Sequence, residues 1–227
     1  MVKDLGQLRE SIDVLDNEIL KALAKRMKLS GQVIVAKNGV AAFRPGREAA
    51  LVRQLVAKGK ADGFEIGPEV ILCVWRQIMA ASLGCQDGEV VCGVHQDALP
   101  AAVWHMGSTL SAFVDNDIAR LIEVLAAGQC RYVLVPACDD NNRHLLDCLD
   151  QHHHLKIIAR TPLFSMQTVN PAFIIADYLP DSSGDDISLY ALQMEHGFDL
   201  VSVAGHYEFV TSSSVPNGAR LIGAYAR

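Results

Sequence analysis

Apolar residues recur along the start of the chain with the period of a helix. Leu8, Ile12, Leu15, Ile19 and Ala22 follow at alternating spacings of four and three and so share one face. The same count continues through Arg26, Ser30, Val33 and Lys37. Two cations thus fall in line with core residues, which is costly unless an anion meets them. No nearby carboxylate shares the stripe. Asp4 and Gln7 can cap the helix start. The run to residue 36 holds no proline, giving a helix roughly 50 Å long. That exceeds what a compact domain of this size needs, and it predicts that the stripe is buried against a partner. Asn38 and Gly39 suit a C-cap.

After a loop at 40–44, Pro45 opens a second helix near 46–58, with Ala50, Leu51, Gln54, Leu55 and Val56 as its apolar face. Residues 59–67 read as a turn. Pro68 opens a third helix carrying Val70, Ile71, Val74, Ile78, Met79 and Leu83, which fades at 84–88. Beyond residue 88 the pattern changes. Strands are predicted at 89–94, 132–135 and 155–159, and helices at 116–127 and 142–149. Further strands follow at 173–177, 187–192, 200–203, 207–210 and 221–226. Strands alternating with helices indicate an α/β layer. The expected fold class is therefore α plus α/β, with a three-helix domain at 1–88 and a small α/β domain at 89–227.

Composition narrows the function. Half of the 227 residues are hydrophobic, so a substantial core is available. The formal net charge of −6 argues against a dedicated nucleic-acid binder, and any anion must be met by a local group of cations. No apolar run approaches a membrane span, and the first residues lack an apolar signal region, so a cytoplasmic location is expected. The six cysteines show no metal-ligand spacing and read as small buried hydrophobes. His152, His153 and His154 are adjacent, point in different directions and have no completing ligand at usable spacing, so a solvated loop is expected there. Neither a metal nor a cofactor is expected.

Several polar residues fall near the inward cations. Arg44, Arg47 and Glu48 flank a helix N-terminus, which favours anions. Ser82 and Gln86 lie four apart on the last turn of the third helix. Arg9 sits off the stripe, yet so long a helix could offer it to a neighbouring subunit.

In order and spacing, the set Leu8-Arg9-Glu10, Ile12-Asp13, Leu15-Asp16, Leu23-Ala24, Arg26, Lys37, Arg44-Pro45, Arg47-Glu48, Ser82 and Gln86 resembles the all-helical class of chorismate mutases over residues 5–87. The resemblance implies a homodimer of interleaved long helices, in which Arg9 is donated in trans and Arg26 binds a carboxylate in cis. Lys37 would bind a carboxylate and the ether oxygen, and Gln86 would donate to that oxygen. Glu48 would hold the substrate hydroxyl, with Arg47 and Ser82 completing the lining. Arg44 departs from the pattern, which has an acid there. The implied reaction converts chorismate to prephenate by a pericyclic shift. It needs a held conformer and charge stabilisation, not a nucleophile or metal. Isochorismate pyruvate lyase shares the helical fold and a similar cation set. A regulatory partner of a shikimate-pathway enzyme is the non-enzymatic alternative.

The segment Gln129-Cys130-Arg131-Tyr132-Val133-Leu134-Val135-Pro136 is similar to a G-x-A-D-Y-A-V-V-P stretch of prephenate dehydratases, so residues 89–227 resemble a shortened, altered form of that family. That family's catalytic Thr-Arg pair is absent: none of Thr109, Thr161, Thr168 or Thr211 precedes an arginine. No dehydratase activity is expected.

Overall fold

The computed structural model describes residues 4–36, 41–87, 90–107, 110–163 and 169–227. Three helices come first: α1 (Leu5–Ala36), α2 (Pro45–Ala61) and α3 (Pro68–Asp87). The start of α1 is capped reciprocally, since the Gln7 N–H donates to Asp4 Oδ1 at 3.0 Å and the Asp4 N–H to Gln7 Oε1 at 3.3 Å. Its predicted C-cap at Asn38 and Gly39 lies outside the described residues. The C-terminal half of α1 packs on α3. In its N-terminal half Leu8 is 45% exposed, and Ile12, Leu15 and Ile19 are 56% exposed. In the single chain this stripe covers no core.

The buried face of α2 is not the one its large apolar residues suggest. Pro45, Gly46, Ala49, Val52 and Gly59 turn inward, while Gln54 is exposed and Ala50, Leu51, Leu55 and Val56 are only partly covered. Small residues let the helix backbone approach its neighbours closely, and that closeness decides the face. On α3, Ile71, Leu72, Met79 and Leu83 are buried, but Val70 and Val74 are about half exposed.

The rest of the described chain builds one eight-stranded mixed sheet. Its strands are β1 (Val91–His95), β2 (Ser111–Asp115), β3 (Tyr132–Pro136), β4 (Lys156–Thr161), β5 (Ala172–Ala176), β6 (Asp186–Met194), β7 (Gly197–Ala204) and β8 (Arg220–Ala226), in the order β2-β1-β3-β5-β4-β8-β6-β7. β1 runs parallel to β2 and β3, and β4 parallel to β8; the other neighbours are antiparallel. The helices are α4 (Leu99–Met106), α5 (Ile118–Ala126) and α6 (Asp139–Gln151). Alternation along the strands separates two cores. Val133, Val135, Phe173 and Ile175 face α5 and α6. Tyr132, Leu134, Ile174 and Ala176 share a cluster with α4 residues, with Phe43 just before α2, and with Leu83 of α3. The helical region and the sheet therefore share a core.

Residues 207–210 form a turn, not a strand, because the His206 carbonyl accepts the N–H groups of Phe209 and Val210. Helix α4 and strand β2 were not foreseen. Cys92, Cys130 and Cys148 are buried as expected, but Cys73, Cys85 and Cys138 are exposed, two of them on the outer side of α3. His153 and His154 are exposed in the turn after α6, and His153 Nε2 lies 3.4 Å from Asp150 Oδ1. Among the described residues no group of three or more His, Cys, Asp or Glu could hold a metal, and no helix is long and apolar enough to cross a membrane.

Burial, and after it the neighbouring Cys130, pushes the Cys92 thiol from 9.0 up to about 12. Between those values the folded chain keeps a proton that the unfolded chain releases. This contribution to stability is therefore complete below pH 9 and is lost as pH rises toward 12. Thermal midpoints should fall across that window, and Cys92→Ala should make the fall shallower. An unchanged slope would exclude this thiol as a source.

Candidate active site

A pocket of about 310 Å³ opens where α1, α2 and α3 meet. Its walls include Arg26, Ser30 and Val33 of α1, Arg44 and the α2 residues Arg47, Glu48 and Leu51, and Met79, Ser82 and Gln86 of α3. That volume falls within the range of small-molecule sites, about 300–1,000 Å³. The stretch of the α1 stripe where charge replaced hydrophobicity is the stretch that faces this cavity. Arg26, Arg47, Glu48, Ser82 and Gln86 are brought together. Lys37 lies outside the described residues, and Arg9 is exposed on the uncovered half of α1.

The Arg26 guanidinium donates to Ser82 Oγ, and its Nη1 lies 3.4 Å from the Ile78 carbonyl oxygen. Ser82 Oγ passes its own hydrogen to that carbonyl at 2.8 Å. A buried serine thus fixes the guanidinium at the pocket wall without neutralising it. Burial pulls the Arg26 pKa down, opposed by the Glu48 carboxylate. Glu48 Oε2 meets Arg76 Nη1 at 2.5 Å. Gln86 carries a buried Oε1 with no hydrogen-bond partner among the described residues, so its amide has bonding capacity to spare.

The N-terminus of α2 shows what Arg44 does. Arg44 is the N-cap residue, and its side chain makes no capping bond. The cap is supplied from the sheet region. Asp181 Oδ1 accepts the Gly46 N–H at 3.0 Å, Oδ2 accepts the Arg47 N–H at 2.9 Å, and Arg44 Nε lies 3.3 Å from Oδ2. The anion that this helix start invites is thus a carboxylate of the same chain. Arg44 still lines the pocket, with Asp181 balancing its charge. Two further contacts tie down this end: Tyr178 Oη donates to the Phe43 carbonyl at 3.0 Å, and Arg53 donates to Ser183 Oγ at 3.0 Å.

Sequence reasoning missed Arg76 and Asp181. Arg76 carried a readable signal, since Leu72, Arg76, Met79 and Leu83 repeat at four, three and four on the buried face of α3. Asp181 carried none, because its partners lie 134 and 135 residues away.

Residues 8–87 match the family model described as chorismate mutase type II, so this segment is a chorismate mutase type II domain. A curated relative, the T-protein of Enterobacter agglomerans, is 32% identical over 84 residues, which make up 36% of this chain and 22% of that protein. The chain thus spans about a fifth of the length of that relative. Two solved structures are loosely similar. One, titled "GqqA- a novel type of quorum quenching acylases", has a TM-score of 0.46 and 14% identity, and the match covers 62% of this chain and 96% of that one. The other, prephenate dehydratase from Streptococcus mutans, has a TM-score of 0.43 and 11% identity, covering 60% and 98%. Neither similarity is close enough to assign the sheet region to a family.

Proposed function

We propose that this chain is a chorismate mutase that rearranges chorismate to prephenate in the cytoplasm, on the route to phenylalanine and tyrosine. The observation that carries the reading is the meeting of Arg26, Arg47, Glu48, Ser82 and Gln86 on one pocket inside the matched segment. The substrate carries two carboxylates, and forked guanidinium groups suit them. Arg26 and Arg47 hold it in the chair-like conformer that reacts. Lys37 and Gln86 donate to the ether oxygen as its bond breaks and charge develops. Glu48 accepts from the substrate hydroxyl, and Ser82 keeps Arg26 aimed. An intramolecular shift of this kind moves no proton to or from the protein.

The working unit is a homodimer, with Arg9 of each chain completing the partner's pocket. The exposed stripe of Leu8, Ile12, Leu15 and Ile19 supports this, because four large apolar side chains in a row favour a covering surface. Residues 1–88 act as the mutase domain, and residues 89–227 form a companion domain without dehydratase activity.

Incubation of the purified protein with chorismate should yield prephenate, and prephenate should not go on to phenylpyruvate. Pyruvate and salicylate from isochorismate, with no prephenate from chorismate, would instead make the protein a lyase. Lys37→Ala and Gln86→Ala should each lower turnover at least about tenfold. Arg9→Ala and Arg26→Ala proteins should be nearly inactive alone. Mixed under conditions that allow subunit exchange, they should recover about a quarter of wild-type turnover, since each mixed dimer contains one intact site. No recovery would remove the trans assignment of Arg9.

A further inference from the structure

Glu48 lines both the pocket and a small void of about 30 Å³ beneath α2, large enough for a water but not for a substrate. On that inner side the Glu48 carboxylate is gripped by Arg76, which is only 4% exposed. Arg76 belongs to α3, and the group behind it comes from the sheet region. Its Nη1 lies 3.4 Å from His105 Nε2 on α4, and His105 Nδ1 lies 2.8 Å from Thr161 Oγ1 at the end of β4. All three side chains are buried.

The protons along this chain of contacts can be assigned. A guanidinium offers only donors, so His105 Nε2 accepts and the imidazole proton sits on Nδ1, donating to Thr161 Oγ1. Burial, and secondly the Arg76 charge, hold the His105 pKa well below its usual value, so the ring is neutral at pH 7. The ring is also packed, with Phe43 edge-on at 5.5 Å and an interplanar angle of 78°. A neutral, packed imidazole that accepts from a guanidinium leaves that group few alternative positions. The guanidinium in turn fixes one oxygen of Glu48.

We propose that Arg76 is a positioning residue for Glu48, and that His105 and Thr161 anchor it so that the sheet region sets the geometry of the mutase pocket. The inference rests on the reading of the pocket as a chorismate site. It gives residues 89–227 a role that needs no ligand of their own: they hold the floor beneath the glutamate that receives the substrate hydroxyl.

The test is a double-mutant cycle in the full-length protein, with turnover of chorismate as readout. Arg76→Gln should lower kcat/KM by about ten- to thirtyfold. Most of the loss should appear in KM, because the hydroxyl is held alike before and during the rearrangement. In a Glu48→Gln background the same change should cost less than about twofold, since Arg76 then has no carboxylate to place. Arg76→Lys should recover part of the loss, because it restores the cation but not the planar Nη1 that meets both Glu48 and His105. Thr161→Val keeps the side-chain shape and serves if Arg76→Gln does not fold. Its expected cost is about threefold in KM, vanishing in the Glu48→Gln background. Losses of equal size in both backgrounds would overturn the proposal, as would no loss from either variant. A wild-type protein that makes no prephenate would remove the mutase reading and this inference together. An active wild type with additive losses would remove only the inference.

Discussion

Replacing Arg26 with alanine should lower kcat/KM for chorismate by roughly a hundred- to a thousandfold while leaving the fold intact. A charge-aimed donor removed from a preorganised site typically costs about 3–4 kcal/mol of transition-state binding. Arg26 is well aimed because Ser82 accepts from it while donating to the Ile78 carbonyl. The same geometry protects the fold of the variant. Ser82 keeps its bond to that carbonyl when the guanidinium is gone, and a partly desolvated cation no longer has to be held at the wall. The thermal midpoint should therefore stay level or rise. Steady-state kinetics beside a melting curve would decide the matter. Unchanged turnover would mean that the pocket is not the site, whereas collapse of the fold would mean that Arg26 is structural.

Gly46→Ala should damage stability and turnover together. A Cβ on Gly46 would stand 2.1 Å from the Asp181 carbonyl oxygen, 2.8 Å from its carbon and 2.9 Å from the Ser182 carbonyl carbon. These are backbone atoms, so no rotamer relieves the clash. Either α2 or the 181–182 segment must move by an ångström or more, at the cost of overpacking in a buried contact, about 1–3 kcal/mol. The shift also pulls Asp181 from the two N–H groups it caps, adding about 1 kcal/mol. A total loss near 3 kcal/mol in chemical denaturation is expected. Turnover should fall about tenfold or more, because Glu48 lies two residues further along the displaced turn. A stable, active Gly46→Ala protein would show that the contact between α2 and Asp181 does not govern the pocket.

These two residues mark what could and could not be read from the chain alone. Arg26 was legible because a 32-residue helix repeats its pattern many times, and one charge in line with five apolar residues stands out. The reciprocal cap at Asp4 and Gln7 was legible because both partners are three residues apart. Gly46 was opaque, because α2 buries Pro, Gly and Ala by close backbone approach, and no hydropathy pattern records that. Arg76 fell between these cases. It sits on the buried stripe of α3, but the exposed Val70 and Val74 suggested a face rotated away from it. Helix α4 is only eight residues long, too short for its period to register. The aromatic and branched run at 207–210 has strand-forming residues, yet the His206 carbonyl draws it into a turn. Beyond the β6–β7 hairpin, the strand pairings, and above all the cap on α2, join residues too far apart for any local pattern to carry.

The distance from Gly46 to Asp181 has a consequence in time. At about 5–20 residues per second, the 135 residues between them take roughly 7 to 27 s to synthesise. Throughout that interval the leading amides of α2 have only water to bond, and Arg44 has no Asp181 to balance it. A nascent chain can form its first three helices early, but the turn that carries Arg47 and Glu48 takes its final cap much later in synthesis.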